Sequence, residues 1–507
     1  MSEQPFPAAY GFLASARTGG GQDPEAPRFA TRGRYSELSE RLRAQSVRFT
    51  LVHPGDDTSG AYATGADTLV VLAGEIYNRA EIDTVLDRAA ASDAERVLGL
   101  VERYGLHAFR LVNGRFAAFV AEGERVLLAT DHSGSVPLYT RRTAGQVLAA
   151  TEAKTLAAPH QGDLGFPAGG ARRVRRLPGL HQVPAGSVLE IDTGRGTAET
   201  HRTWVPPVSR RIMSEEAAVD AVRHALEKAV ARRLAPAAPP LVVLSGGIDS
   251  SGVAALADAA VLGPIDTLSM GTDRSDEFPQ ARVVADHLGS RHREITIPTS
   301  ELLAQLPHTL HAAESLDAEV IEYLLPLTAL YRRLEGPARR VLTGYGADIP
   351  LGGMHREDRL PQLDTAVAFD MDTFDGLNEM SPVLSTASGH WSTHPYWDRE
   401  VLELLTVLEA GLKRRYGRDK WVLRAAMGDV LPQETVVRPK LGVHEGSGTT
   451  SGFTLLVREA GVPEAGVAAA KTAVVEELFD RIVVGGEEPD RVDLPEVVEK
   501  VAKAVKG

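Results

Sequence analysis

The chain has 507 residues and no cysteine, and it sets 55 Lys and Arg against 68 Asp and Glu for a formal charge of −13. Its length provides two or three domains with ample core, while the missing cysteine excludes disulfides, thiolate-bound metal and a thiol nucleophile. The acidic balance argues against non-specific binding to nucleic acid or an anionic membrane, and 43% hydrophobic with 24% charged residues is an ordinary globular composition.

The N-terminal stretch Ala8 to Ala14 is apolar but short, and Glu3 stands where a secretion signal needs positive charge. No window approaches the roughly 18 apolar residues of a membrane span, so the expected location is the cytoplasm. From here to about residue 205 the pattern is strand-rich. Thr68 to Ala73, Phe116 to Val120, Val126 to Thr130 and Ser187 to Ile191 are short β-prone runs between turn residues, and Asp93 to Tyr104 is the clearest helix. Gly162 to Arg176, rich in Gly, Pro and Arg, reads as a loop. A domain boundary is expected near Pro206 and Pro207, giving domains over 1–208 and 209–507.

Ser214 is a plausible helix N-cap, with Glu215 and Glu216 in the first turn and Val219, Val222, Leu226 and Val230 along one face. Leu241 to Leu244 is a continuous apolar run suited to a buried parallel strand. The runs Thr267 to Met270, Glu294 to Ile297 and Arg340 to Thr343 alternate with helical segments, which indicates a doubly wound α/β sheet. The tail from Glu476 reads as helical and charged.

Between the first of these strands and the next helix lies Ser245 to Ser251, SGGIDSS. A strand, a Gly-rich turn and a helix N-terminus bring free N–H groups and the positive end of a dipole to one point, which suits phosphate. Gly246 and Gly247 allow close approach, and Ser245 and Ser250 add hydroxyls. Asp249 would repel phosphate unless a cation lies between them, so magnesium is implied. The Gly-Lys-Ser/Thr ending of the kinase-type loop is missing.

This segment resembles the pyrophosphate loop of the ATP pyrophosphatase superfamily, which cleaves ATP to AMP and pyrophosphate while adenylating a substrate. The first half is similar to the glutaminase domain of asparagine synthetase in Gly74 to Asn78 (GEIYN), Asn113 to Phe116 (NGRF), Asp131 to Tyr139 (DHSGSVPLY) and Thr151 to Lys154 (TEAK). The resemblance implies an α+β sandwich of the N-terminal-nucleophile-hydrolase kind followed by an α/β ATP-pyrophosphatase-type synthetase domain. It also implies ATP contacts from Val243, Leu244, Ser245, Gly246, Gly247, Asp249, Ser250, Ser251, Met270 and Gly344.

Two departures choose among relatives. A glutaminase needs an N-terminal cysteine, and none is present. Ser2 could replace it only in principle, so the nitrogen nucleophile is expected to come from elsewhere. In Thr343 to Asp348 (TGYGAD), Tyr345 stands where asparagine synthetases carry Glu, while Asp348 matches the family's second magnesium ligand. The better resemblance is to the β-lactam synthetase family, in which a Tyr–Glu pair deprotonates the substrate's own amine. It implies that Tyr345 and Glu379 (in GLNEMS) form that pair, and that Lys440, in the Gly-rich Arg438 to Gly448, stabilises the tetrahedral intermediate and departing AMP.

The implied reaction adenylates the β-carboxylate of N2-(2-carboxyethyl)-L-arginine and closes it to a monocyclic β-lactam on the route to clavam antibiotics. Tyr323, Gly346, Asp348, Asp370 and Glu379 would line the substrate site, with Asp370 towards the guanidinium. The cluster Asp370, Asp372 and Asp375 otherwise reads as a solvated loop. A small-molecule substrate and no nucleic acid or membrane partner are expected, and a homodimer is compatible. Carbapenam synthetase, ammonia-dependent asparagine synthetase, a lasso-peptide cyclase and a non-catalytic nucleotide-binding scaffold are the competing readings.

Overall fold

The computed structural model describes residues 6–18, 27–55, 57–158, 162–166, 176–234, 239–355, 360–373, 382–439 and 449–506. In the first part β1 (Gly11–Arg17), β2 (Arg34–Arg41), β3 (Ser46–His53), β4 (Tyr62–Thr64), β5 (Thr68–Ile76) and β6 (Gly114–Glu122) come first. They are followed by β7 (Arg125–Thr130), β8 (Tyr139–Thr143), β9 (Gln146–Ala150), β10 (His181–Gln182), β11 (Ser187–Asp192) and β12 (Thr197–Arg202). The sheets have the orders β10-β8-β9-β1-β3-β2 and β12-β11-β7-β6-β5-β4, with antiparallel neighbours throughout.

β5 is buried along its whole length, so its sequence does not alternate. Leu69, Val71 and Ala73 face the other sheet, in a core with Phe12 and Phe49. Val70, Leu72 and Ile76 pack outward on Val97, Leu100 and Val101 of the helix Asp93–Tyr104. That helix starts at Ser92, whose side chain accepts from the Glu95 N–H.

The second part holds β13 (Leu241–Val243), β14 (Asp266–Thr272), β15 (Arg291–Ile297), β16 (Arg340–Leu342) and β17 (Trp391–Thr393). All are parallel, in the order β15-β14-β13-β16-β17. The chain winds outward from β13 to β15, then returns to the other side of β13 at β16. The switch point between β13 and β16 is where a doubly wound sheet opens its crevice, at the C-terminal strand ends. The helix Glu215–Ala231 is capped by Ser214 as expected, and Val222, Leu226 and Val230 are buried while Val219 is only partly so.

The C-terminal tail from Glu476 is helical and charged as expected, and it also contributes to the core: Leu478, Val497 and Val501, with Val474 and Val475 just before it, from the helices Val467–Phe479 and Leu494–Lys506, lie beside β13 and β16. The charges visible in the sequence cover only the outer faces, because both helices are amphipathic and spend their apolar faces on the core.

The two parts are tied by buried ion pairs. Glu75 of β5 accepts from the Arg340 guanidinium with both oxygens at 2.8 Å and from the Trp391 indole N–H at 2.8 Å. Arg115 stacks 3.7 Å above the Trp391 ring and donates to the Ser392 and Pro382 carbonyls. Among the described residues no helix is long and apolar enough to cross a membrane.

Candidate functional site

The loop after β13 is held open by its own hydroxyls. Ser250 Oγ accepts from the Ser245 N–H and lies 3.1 Å from Ser245 Oγ, and Ser245 Oγ accepts from the Gly247 N–H at 3.3 Å. Gly247 caps the 13-residue helix Ile248–Ala260 with no side-chain acceptor, so the first-turn N–H groups remain available to a ligand. Gly246 has φ +72°, and a Cβ there would lie 2.4 Å from the Gln280 carbonyl carbon. Only glycine satisfies both conditions. Val243 and Met270 sit half-buried at the C-terminal ends of β13 and β14, Leu244 is buried, and Ser251 is buried in the helix.

The loop after β16 packs directly on that helix start. A Cβ on Gly344 would lie 2.3 Å from the Ser250 nitrogen, so glycine is what lets the two loops meet at the switch point. Gly346 has φ +95° and accommodates the indole of Trp397. Between them Tyr345 is half-buried, its ring 6.2 Å from that of Tyr323 and 5.6 Å, edge on, from that of His394. Tyr345 is hydrogen-bonded to Tyr323 through the side chains. Thr343 Oγ1 accepts from the Tyr345 N–H at 3.3 Å and lies 2.7 Å from His394 Nδ1.

These surroundings set the protonation of Tyr345. Burial, then Tyr323 and Asp348, push its phenol well above the usual value, so it holds its proton. His394 is driven the other way by burial and by Arg115 and Arg233, which leaves it neutral.

Asp249 and Asp348 converge from the two loops, and the side chain between them is Lys420. Its Nζ lies 2.6 Å from Asp348 Oδ1 and also bonds the Asp249 carboxylate. Lys420 is buried, with φ +49°. Gly353 leaves room for it, since a Cβ there would be 2.6 Å from Lys420 Cε. Burial alone would lower the Lys420 ammonium, but the two carboxylates outweigh it and raise its pKa. Nothing in the run Arg418 to Trp421 marks this lysine, because its partners lie far away in the chain.

The two carboxylates reach a single cation, and they are hard oxygen donors. No group of three or more His, Cys, Asp or Glu that could hold a metal occurs among the described residues. Two carboxylates, with the remaining positions left to phosphate oxygens and water, fit magnesium rather than a metal held entirely by protein.

Arg438 adds a cation that the sequence reading quoted in its motif but gave no role. It donates to the Ser245 carbonyl at 3.1 Å and pairs with Glu277. The Tyr396 hydroxyl donates to the Asp249 carbonyl at 3.1 Å. Asp370 lies on the helix Leu360–Thr373, where one of its oxygens is 2.6 Å from His355 Nε2. That leaves it only partly available to a guanidinium. Glu379, Lys440 and Asp375 lie outside the described residues, as does the side chain of Asp372.

A family model for asparagine synthase matches residues 221–373 and 383–484, and one for a glutamine amidotransferase domain matches 54–158. The carboxyethyl-arginine beta-lactam-synthase of Streptomyces clavuligerus is 65% identical over 99% of this chain and 98% of its own length. A glutamine-hydrolyzing asparagine synthetase 2 of Oryza sativa subsp. japonica is 27% identical over 83% of this chain and 75% of that one. Among solved structures, a B. subtilis glutamine phosphoribosylpyrophosphate amidotransferase covers 86% of this chain and 94% of its own at 11% identity, with a TM-score of 0.25.

Proposed function

Because the chain belongs to the asparagine synthase family, we propose that it is an AMP-forming, ATP-dependent ligase that closes N2-(2-carboxyethyl)-L-arginine to a monocyclic β-lactam on the route to clavam antibiotics. The observation that carries the reading is Tyr345, half-buried beside the paired carboxylates Asp249 and Asp348 and against the phosphate-type loop. The resemblance of the whole chain to a carboxyethyl-arginine beta-lactam-synthase supports the substrate.

In this reading Ser245, Gly246, Gly247 and Ser250 cradle the phosphates of ATP, with Val243, Leu244, Ser251, Met270 and Gly344 shaping the rest of the nucleotide site. Asp249 and Asp348 would hold magnesium, which supplies charge neutralisation for the departing pyrophosphate. Lys420 keeps the two carboxylates in register and balances their charge. Arg438 fixes the loop through the Ser245 carbonyl. Attack of the substrate's β-carboxylate on the α-phosphate gives an acyl-adenylate, and intramolecular attack by the secondary amine then closes the ring and releases AMP. Holding the chain folded supplies much of that second rate.

Tyr345 holds its proton in these surroundings, so it works as a relay rather than as a standing base. It accepts the amine proton as it passes its own to a neighbour, with Tyr323 in contact and Glu379 the acceptor that the resemblance assigns. Lys440 would steady the oxyanion, and Tyr323, Gly346, Asp348, Asp370 and Glu379 would bind the substrate. The domain division at 208/209 belongs to the same proposal, as do a cytoplasmic location and a homodimer. With no cysteine in the sequence, the first domain is a scaffold. It braces β17 and the following turn: the Tyr77 hydroxyl lies 3.1 Å from Thr393 Oγ1, and His132 Nε2 lies 2.8 Å from the Trp397 carbonyl oxygen.

The test incubates the purified protein with ATP, magnesium and carboxyethyl-arginine. Mass spectrometry should find substrate minus one water in step with AMP. Formation of ADP or of asparagine, or no turnover, overturns the proposal.

A further inference from the structure

Away from the nucleotide loop, a cavity of about 360 Å3 lies where the segment before β2 meets the helices Leu306–Ala313 and Ala318–Arg332 and the turn Pro489–Arg491. None of the residues assigned above to ATP, metal or substrate lines it. His308 and His311 project from one face of the first helix, three residues apart. Arg332 comes from the last turn of the second, and Arg32 stands at the rim.

The charges here are not balanced in the usual way. Neither Arg32 nor Arg332 forms an ion pair with a described residue. Arg332 instead gives one N–H to a neutral acceptor, His308 Nδ1 at 3.2 Å. That bond makes Nε2 the protonated nitrogen of His308, which faces Asp490 at 2.9 Å. The His311 ring makes no hydrogen bond with any described residue, although its carbonyl accepts from Lys154 Nζ at 2.8 Å. Burial, then Lys154, His308 and Arg28, pull the His311 imidazole down to about 2. Arg32 also lowers the pKa of Arg332, after burial, while Asp490 raises it. Two arginines and an unbonded imidazole around one polar cavity, among further cations, form an arrangement whose cost an anion would offset. Glu488 and Asp490 stand exposed at the mouth.

We propose that this cavity is a second binding site that takes a small oxyanion, of the phosphate or carboxylate class, on Arg32, Arg332 and His311. Arg332 offers its remaining donors in the planar geometry that oxyanions accept. His311 supplies the N–H of its neutral ring as a donor. The lining comes from both parts of the chain, so the ligand would bridge them. This site is independent of the ligase reading.

The test uses the full chain labelled with 15N-histidine, its nucleotide site first saturated with a non-hydrolysable ATP analogue and magnesium so that it cannot report. Inorganic phosphate is titrated in one arm and propionate in the other, following the imidazole signals assigned through His308→Gln and His311→Gln. A saturable shift of both rings is expected, in either arm or in both, and the arm that responds identifies the class. Arg332→Gln should weaken binding at least about tenfold. Arg32→Gln changes an exposed side chain that the fold does not need, and it should weaken binding in the same direction. Shifts that grow without saturating, or an affinity unchanged in Arg32→Gln, overturn the proposal.

Discussion

Lys420 Nζ lies 2.6 Å from Asp348 Oδ1 while also bonding Asp249, so a single buried ammonium joins the two loops of the switch point. Removing that charge leaves two carboxylates facing each other. Lys420→Met should cost about 3 kcal/mol of stability and depress AMP formation by two orders of magnitude or more. A divalent cation that binds the folded state can replace part of the missing charge. Thermal denaturation should therefore show magnesium raising the midpoint of Lys420→Met more than that of the parent. An equal response in both would mean that the lysine does not share the carboxylates' cation position.

Tyr345→Phe keeps the ring that packs on Tyr323 and His394 but removes the proton relay. ATP–pyrophosphate exchange, which reports adenylation, should stay within a few-fold of the parent. Ring closure should fall by about 10²–10⁴-fold. Equal loss of both steps would contradict the relay role.

Gly246→Ala places a Cβ against the Gln280 backbone at a φ of +72°. The strain is local to the phosphate loop, so the circular dichroism spectrum should be unchanged while the KM for ATP rises at least about tenfold. A KM equal to the parent's would show that the loop does not contact the nucleotide.

Glu75 gives a pH prediction. Burial would raise its pKa, but the Arg340 ion pair and the Trp391 hydrogen bond outweigh burial and hold it at about 2, below its ordinary value of 4.5. A depressed carboxylate contributes stability that is fully present above its unfolded pKa and is lost as pH falls through the folded one. Here the window runs from about pH 4.5 down to about 2, and the contribution is about 3 kcal/mol. Denaturant midpoints measured from pH 6 to 3 should therefore fall more steeply in the parent than in Glu75→Gln, which should already be less stable at pH 6. Parallel pH slopes would show that Glu75 does not carry this linkage.

Most of the architecture could be read without coordinates, since strand and helix periods, the Ser214 cap and the run Ser245 to Ser251 are contiguous signals, each decided within a few residues. The doubly wound parallel sheet follows from alternating strands and helices, while its strand order is set by tertiary pairing. The same local character explains the chemistry that was legible: a Gly-Gly turn between a strand and a helix is an anion site wherever it occurs. The missing cysteine, a matter of composition alone, already pointed to a substrate that carries its own nitrogen.

What the chain order could not show are relations between distant segments. Lys420 sits 171 positions from Asp249 and has no motif around it, so only folding reveals that it stands between the two aspartates. By resemblance Tyr345 is half of a pair that deprotonates the substrate amine, yet desolvation, Tyr323 and Asp348 hold the phenol's own proton in place. The tail reads as helical and charged, and only the tertiary structure shows that its apolar face completes the core beside β13 and β16. Each case turns on desolvation and electrostatics, which depend on what surrounds a group in space, and neighbours along the chain do not determine those surroundings.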